Sequence, residues 1–139
     1  MVSESRIVAR YAETDQMGIV HHSVYPVWYE VARTDLIKKL GMRYSEMEKM
    51  GIMLPLTDME SHYIQAARYE DELMVRARVE KMSPARIRFA YEVYRQGESK
   101  PINTGATAHG FVDSATFAPI NLKKRNPDLF ALLQSSMEG

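Results

Sequence analysis

The period of the apolar positions changes along this chain. From Val24 to about Leu40 they recur at helical spacing. Tyr25, Trp28, Ala32, Leu36 and Leu40 lie along one stripe, and Val24, Val27 and Val31 widen it. The spacing predicts a long helix, apolar nearly all round in its first half and therefore deeply buried. Ser23 stands where an N-cap would, Pro26 falls in the first turn, and Gly41 is a natural stop after Lys38 and Lys39. Further along, the period becomes two. Over 72–82, Leu73, Val75, Ala77 and Val79 share one face and Arg76, Arg78 and Glu80 the other. Over 86–95, Ile87, Phe89, Tyr91 and Val93 oppose Arg88, Glu92 and Tyr94. These are half-exposed antiparallel strands, joined at Ser83-Pro84, with Gln96-Gly97-Glu98-Ser99 closing the second.

The remaining elements are weaker in pattern. Residues 5–11 predict a first strand, followed by a turn-rich stretch over 12–18. Ser45–Met50 suggests one helical turn before Gly51, and 52–65 a long strand bent at Pro55. Residues 102–113 form a further strand with small residues at Thr104-Gly105-Ala106-Thr107-Ala108, which allow a close approach to the backbone. Asn126-Pro127-Asp128 opens a short helix, Leu129 to about Ser135. One strand, a long helix and then about four strands make an α+β arrangement. A helix buried all round needs a sheet that curls about it or a partner subunit, so the pattern points to an oligomer whose helices are enclosed by sheets.

Composition narrows the reading. The 139 residues suit a single domain over 1–139, with 18 Lys+Arg balanced by 18 Asp+Glu and 45% hydrophobic residues. Zero formal charge leaves no footprint for general nucleic-acid binding. The absence of cysteine excludes disulfides, thiolate metal sites and a cysteine nucleophile. The N-terminal residues lack the apolar stretch of a signal peptide, and no run is long enough for a transmembrane segment, so a cytoplasmic protein is expected. Ten methionines are many for this length and suit core, interface or an apolar pocket.

The chemistry-bearing residues concentrate between Tyr11 and Arg33. Asp15 lies in a glycine-bearing loop just before the helix, and His22 at the helix entrance, where free N–H groups and the positive dipole end gather. Such a point polarises a carbonyl oxygen, and a nearby carboxylate can attack the carbonyl carbon or take a proton from water. The bland alternatives are a turn or cap role for Asp15 and a structural role for His22. His21 and His22 are adjacent, and His62 and His109 are dispersed, so no metal site is expected. Glu30 and Arg33 could pair at i, i+3. Arg86 and Arg88 could meet phosphates or simply form a solvated strand face. Nucleotide loops, dinucleotide fingerprints and the Gly-x-Ser-x-Gly elbow are missing.

Arg10-Tyr11-Ala12-Glu13-Thr14-Asp15-Gln16-Met17-Gly18-Ile19-Val20, with His22, Tyr25, Glu30 and Arg33, resembles the signature of the hotdog-fold acyl-CoA thioesterases. It is most similar to the 4-hydroxybenzoyl-CoA thioesterase family and, within it, to the branch associated with the Tol–Pal envelope system. His62-Tyr63-Ile64-Gln65-Ala66-Ala67-Arg68-Tyr69-Glu70-Asp71-Glu72-Leu73 resembles the family's strand-turn-strand segment, with Ala66 where a proline is usual. The likeness covers about residues 5–122.

The resemblance implies an antiparallel sheet wrapped around a long central helix. It also implies a homodimer or homotetramer with active sites at the dimer interface, an acyl-CoA substrate and no cofactor. It places the catalytic carboxylate on Asp15, as nucleophile or as base for water. It makes His22 a catalytic participant, and the N–H at position 22 a donor to the thioester carbonyl. Gly18 keeps the loop close to the substrate, Tyr25 suits the acyl chain, and Arg86 and Arg88 are candidate CoA phosphate contacts. A thioesterase acting on acyl carrier protein and a non-catalytic acyl-ligand binder stay open as alternatives. A hotdog dehydratase fits less well, because the carboxylate lies before the helix rather than on it.

Overall fold

The computed structural model of the protein describes residues 1–138. Strand β1 (Ser3–Val8) leads through a 3₁₀ turn at Tyr11–Glu13, a loop and a second 3₁₀ turn at His22–Val24 into helix α1 (Tyr25–Lys39). After α2 (Tyr44–Lys49) come β2 (Ile52–Met53), β3 (Leu56–Tyr63), β4 (Glu72–Met82), β5 (Arg86–Arg95), β6 (Asn103–Gly110) and β7 (Val112–Asp113). Helices α3 (Leu122–Arg125) and α4 (Pro127–Ser135) follow. Five strands form one antiparallel sheet in the order β1-β4-β5-β6-β3, while β2 and β7 pair separately. The protein is α+β.

Strands β4 and β5 carry the alternation that predicted them. Leu73, Val75, Ala77 and Val79 are buried beside Ile87, Phe89, Tyr91 and Val93. Helix α1 packs on this face against β1 and β4. Tyr25, Trp28, Ala32 and Leu36 are buried as expected, but Val27 and Val31 are 52% and 41% exposed. Within one chain the first half of the helix is therefore not enclosed all round, because the sheet covers a single side. Ser23 is not its N-cap. The Ser23 hydroxyl and N–H both meet His21 Nδ1, at 2.7 and 3.2 Å, and the helix starts at Tyr25. Gly41 does end it. At φ +96° its N–H reaches the Lys38 carbonyl, and the Met42 N–H reaches that of Ile37.

The other departures have local causes. β1 spans Ser3–Val8 rather than 5–11, because the Ala9 N–H turns to the Asp71 carbonyl and Arg10 opens the 3₁₀ turn. The strand expected over 52–65 breaks at Leu54-Pro55, where proline has no N–H for a ladder, and a register shift follows between Leu56 and Asp58. The strand expected over 102–113 likewise divides at Phe111 into β6 and β7. Helix α3 was not signalled by periodicity, being a single turn. Asn126 caps α4 by accepting the Leu129 N–H at 3.1 Å.

Buried polar groups tie α1 to the sheet. Tyr29 lies flat against Tyr91, ring centroids 4.4 Å apart, with its hydroxyl bonded to Asn103 Oδ1 and Ser61 Oγ. It fits only because residue 105 is glycine. A Cβ there would stand 2.6 Å from Tyr29 Cζ and 2.7 Å from the Glu60 carbonyl oxygen. Arg33 does not pair with Glu30. Its guanidinium donates to the Tyr44 hydroxyl at 3.1 Å and to that of Tyr91 at 3.0 Å.

From Tyr91 the network has one direction. The His109 ring meets the Leu54 carbonyl at 3.0 Å through Nδ1 and Thr107 Oγ1 at 2.9 Å through Nε2. A carbonyl only accepts, so Nδ1 carries the proton and Nε2 accepts from Thr107. Thr107 in turn accepts from Tyr91, 2.6 Å away.

Candidate active site

The loop between Glu13 and His21 is a short ladder. The His21 N–H donates to the Glu13 carbonyl, Thr14 and Val20 form a bridge, and the Asp15 N–H donates to Ile19. The Gly18 N–H closes the tip on the Asp15 carbonyl at 3.0 Å. Asp15 Oδ1 accepts the Met17 N–H at 2.8 Å, so the carboxylate is oriented by its own turn; its Oδ2 has no partner among the described residues. Gly18 has φ +77°, and a Cβ there would meet nothing within 4 Å. The glycine is thus required by backbone conformation.

This loop leans on the segment that follows β3. The Val20 N–H donates to the Ala67 carbonyl at 2.8 Å, and Ile19 bridges to Arg68. Arg95 braces the segment from β5. Its guanidinium donates to the Ala66 carbonyl at 2.6 Å and pairs with Asp71 at 3.3 Å.

Between the two segments lies a hollow of about 260 Å³. Asp15, His22 and Tyr25 line it, so the structure brings these three candidates together. Val20, Tyr63 and Ile64 supply apolar wall, and Gln65 and Ala66 complete one side. Tyr25 meets Tyr63 edge to face, with centroids 5.2 Å apart, and the Tyr63 hydroxyl donates to the His22 carbonyl at 2.9 Å. His22 is exposed, and its ring lies tilted against that of His21, centroids 4.0 Å apart.

The amides at this corner are unequal. Ser23 N–H is taken by His21 Nδ1 and Val24 N–H by the His21 carbonyl. The His22 N–H makes no hydrogen bond among the described residues. Two residues that each keep a polar atom unengaged among the described residues, Asp15 and His22, thus line one hollow at the start of a helix. That arrangement can polarise a carbonyl and deliver a nucleophile or a base to it.

The other candidates lie elsewhere. Gly18 lines a neighbouring hollow with Tyr11 and Tyr69, on a side that Asp15 also borders. Arg86 and Arg88 line a separate hollow of about 530 Å³ with Asp58 and Lys81. In the sheet Arg88 shares a row with Ala108 and Asp58, while Tyr63 shares one with Asn103 and Val93. Five residues of strand separate those rows, about 17 Å. Arg88 is also engaged by Glu60 and, at 3.4 Å, by Glu80. Among the described residues no group of three or more His, Cys, Asp or Glu could hold a metal ion.

Glu13 is a residue that the sequence did not single out. Its carboxylate is buried and accepts from Arg10 N–H at 2.8 Å, the Arg10 guanidinium at 3.3 Å and Trp28 Nε1 at 3.1 Å. Burial acts to raise its pKa, but these hydrogen bonds outweigh it and hold the carboxyl below the ordinary range. A Glu among loop polar residues gives no sign of burial, and its indole partner is fifteen positions away.

A family model described as the thioesterase-like superfamily matches residues 9–129. The chain is 40% identical over 127 residues to YneP of Bacillus subtilis (strain 168), provisionally named an acyl-CoA thioesterase; the match covers 91% of each chain. The crystal structure of DHNA-CoA thioesterase from Staphylococcus aureus superposes with a TM-score of 0.92 at 38% identity, covering 99% of this chain and 91% of that one. A hypothetical protein of Thermus thermophilus, TT1821, does so with a TM-score of 0.86 at 34% identity, covering 98% of both. Family match, curated relative and solved structures agree along nearly the whole chain, which therefore belongs to the thioesterase-like superfamily.

Proposed function

We propose that the protein hydrolyses acyl-CoA thioesters to a free acid and CoA. The observation that carries this reading is that Asp15 and His22, each with a polar atom unengaged among the described residues (Oδ2 and the backbone N–H), line one hollow. The thioester carbonyl oxygen accepts from the His22 N–H, and the start of α1 favours the negative charge that develops there. Asp15 either attacks the carbonyl carbon, giving an anhydride that water then opens, or takes a proton from the attacking water. By both routes the C–S bond breaks, water supplies oxygen to the acid, and a proton goes to the thiolate. Tyr25 and Tyr63 flank the acyl group. Gly18 keeps the turn that presents Asp15.

The whole chain is read as one hotdog domain with α1 as its central helix. β3 leaves a sheet edge unpaired in one chain, and Leu56, Met59 and Tyr63 are exposed on the face that bears α1. Together with exposed Val27 and Val31, this supports a homo-oligomer closed by strand pairing. Arg86 and Arg88 are CoA contacts only across such a subunit boundary. A place in the Tol–Pal-associated branch rests on His22, and a cytoplasmic location on the CoA substrate. No helix among the described residues is long and apolar enough to cross a membrane.

The test is CoA release from short, medium, long and aromatic acyl-CoAs. Asp15→Asn lowers the rate by roughly 10²–10⁴-fold. His22→Ala keeps the backbone donor and loses much less. Equal rates for wild type and Asp15→Asn across the panel would overturn the proposal.

A further inference from the structure

We infer that Glu13 is a positioning residue for hydrolysis, a buried carboxylate that fixes Asp15 and the His22 amide relative to one another. The inference rests on the reading of Asp15 as the reacting carboxylate. Glu13 belongs to two structures at once. Its carbonyl accepts the His21 N–H and so holds both ends of the loop that carries Asp15. Its side chain is fastened outside the loop, to Arg10 at the start of the 3₁₀ turn that follows β1 and to Trp28 in the first turn of α1. Asp15 lies two residues after the first anchor, and His22 follows directly on the rung that closes the loop. Without the side-chain anchor, the ladder could rotate as a unit against the helix start.

All three groups that meet the carboxylate are N–H donors. A glutamine in its place must turn an NH₂ group toward one of them, setting donor against donor in a buried site. The site therefore calls for a carboxylate, and Glu13→Gln releases the anchor with almost no change of shape. The anchor also reaches the hollow's aromatic wall. Trp28 meets Tyr25 edge to face at 4.9 Å, and Tyr25 lines the hollow with Asp15.

A misplacement of about 1 Å at a reacting group costs on the order of 10²-fold in rate. The experiment is steady-state and single-turnover CoA release with wild type, Glu13→Gln, Asp15→Asn and the double variant. The expected result is a kcat about 10- to 100-fold lower for Glu13→Gln at unchanged KM, and no further loss when it is added to Asp15→Asn. Trp28→Phe removes the indole donor together with part of the buried ring. It shows a smaller kcat loss that also vanishes in the Asp15→Asn background, and it carries the test if Glu13→Gln does not fold. Equal fold losses with and without Asp15, or a loss confined to KM or melting temperature, would make Glu13 merely structural. Wild-type kinetics in Glu13→Gln would do the same. Full activity in Asp15→Asn would instead remove the reading beneath it, an outcome separate from failure of the anchor.

Discussion

Acidification should destabilise this protein through His109, for reasons set by hydrogen-bond direction. The ring is 2% exposed, and its Nε2 accepts from Thr107. A proton on Nε2 would force Thr107 to accept there and donate to Tyr91. Tyr91 already accepts from Arg33, so its own hydrogen would lose its acceptor. Burial and then the Arg33 charge push the imidazole pKa from 6.5 down to about 4, against the opposing Leu54 carbonyl. The folded pKa is thus below the unfolded one. Above about pH 6.5 the neutral ring contributes its full stabilisation; between 6.5 and 4 the unfolded chain takes up a proton that the folded chain refuses. The difference corresponds to about 3 kcal/mol lost across that window. Urea titrations of wild type and His109→Gln at steps from pH 7.5 to 4 measure it. The wild-type midpoint should fall more steeply with acid than that of the variant. Parallel curves would refute the assignment of a fixed tautomer.

Two further outcomes follow from packing and capping. Gly105→Ala should destabilise by about 2–4 kcal/mol, since the added methyl displaces Tyr29 from a filled site and weakens its hydrogen bonds; chemical denaturation reads this, and a cost near zero would contradict the close fit. Asn126→Ala should cost about 1 kcal/mol by freeing the Leu129 N–H, lowering the melting temperature by a few degrees without altering kcat.

Much of the fold was legible because burial on one face imposes a period. Leu73–Val79 and Ile87–Val93 face α1, and they alternate. The stop at Gly41 and the cap at Asn126 are local chemistry, and both appear where the residues stand. What the sequence hid depends on distant partners. β3 has no period because almost all of it is exposed at the sheet edge. Arg33 read as a surface partner for Glu30, since its tyrosines lie 11 and 58 positions away. Val27 and Val31 looked like core because helical spacing cannot say what covers a face. At the site, Asp15 and His22 were legible from the loop and the helix start. The part played by Ile64, Gln65 and Ala66 in its wall was not, because that segment is brought in through the Val20 bond to Ala67.

The notch at Gly105 also constrains how this chain can change over generations. A larger residue there requires the ring at position 29 to withdraw. Withdrawal takes the phenol from Asn103 Oδ1, leaving a buried acceptor unpaired, while Ser61 keeps only the Asn103 amide. No single substitution among these four positions keeps the rest content. Residues 29, 61, 103 and 105 should therefore be inherited as a block, and among relatives a departure from glycine at 105 should coincide with loss of tyrosine at 29.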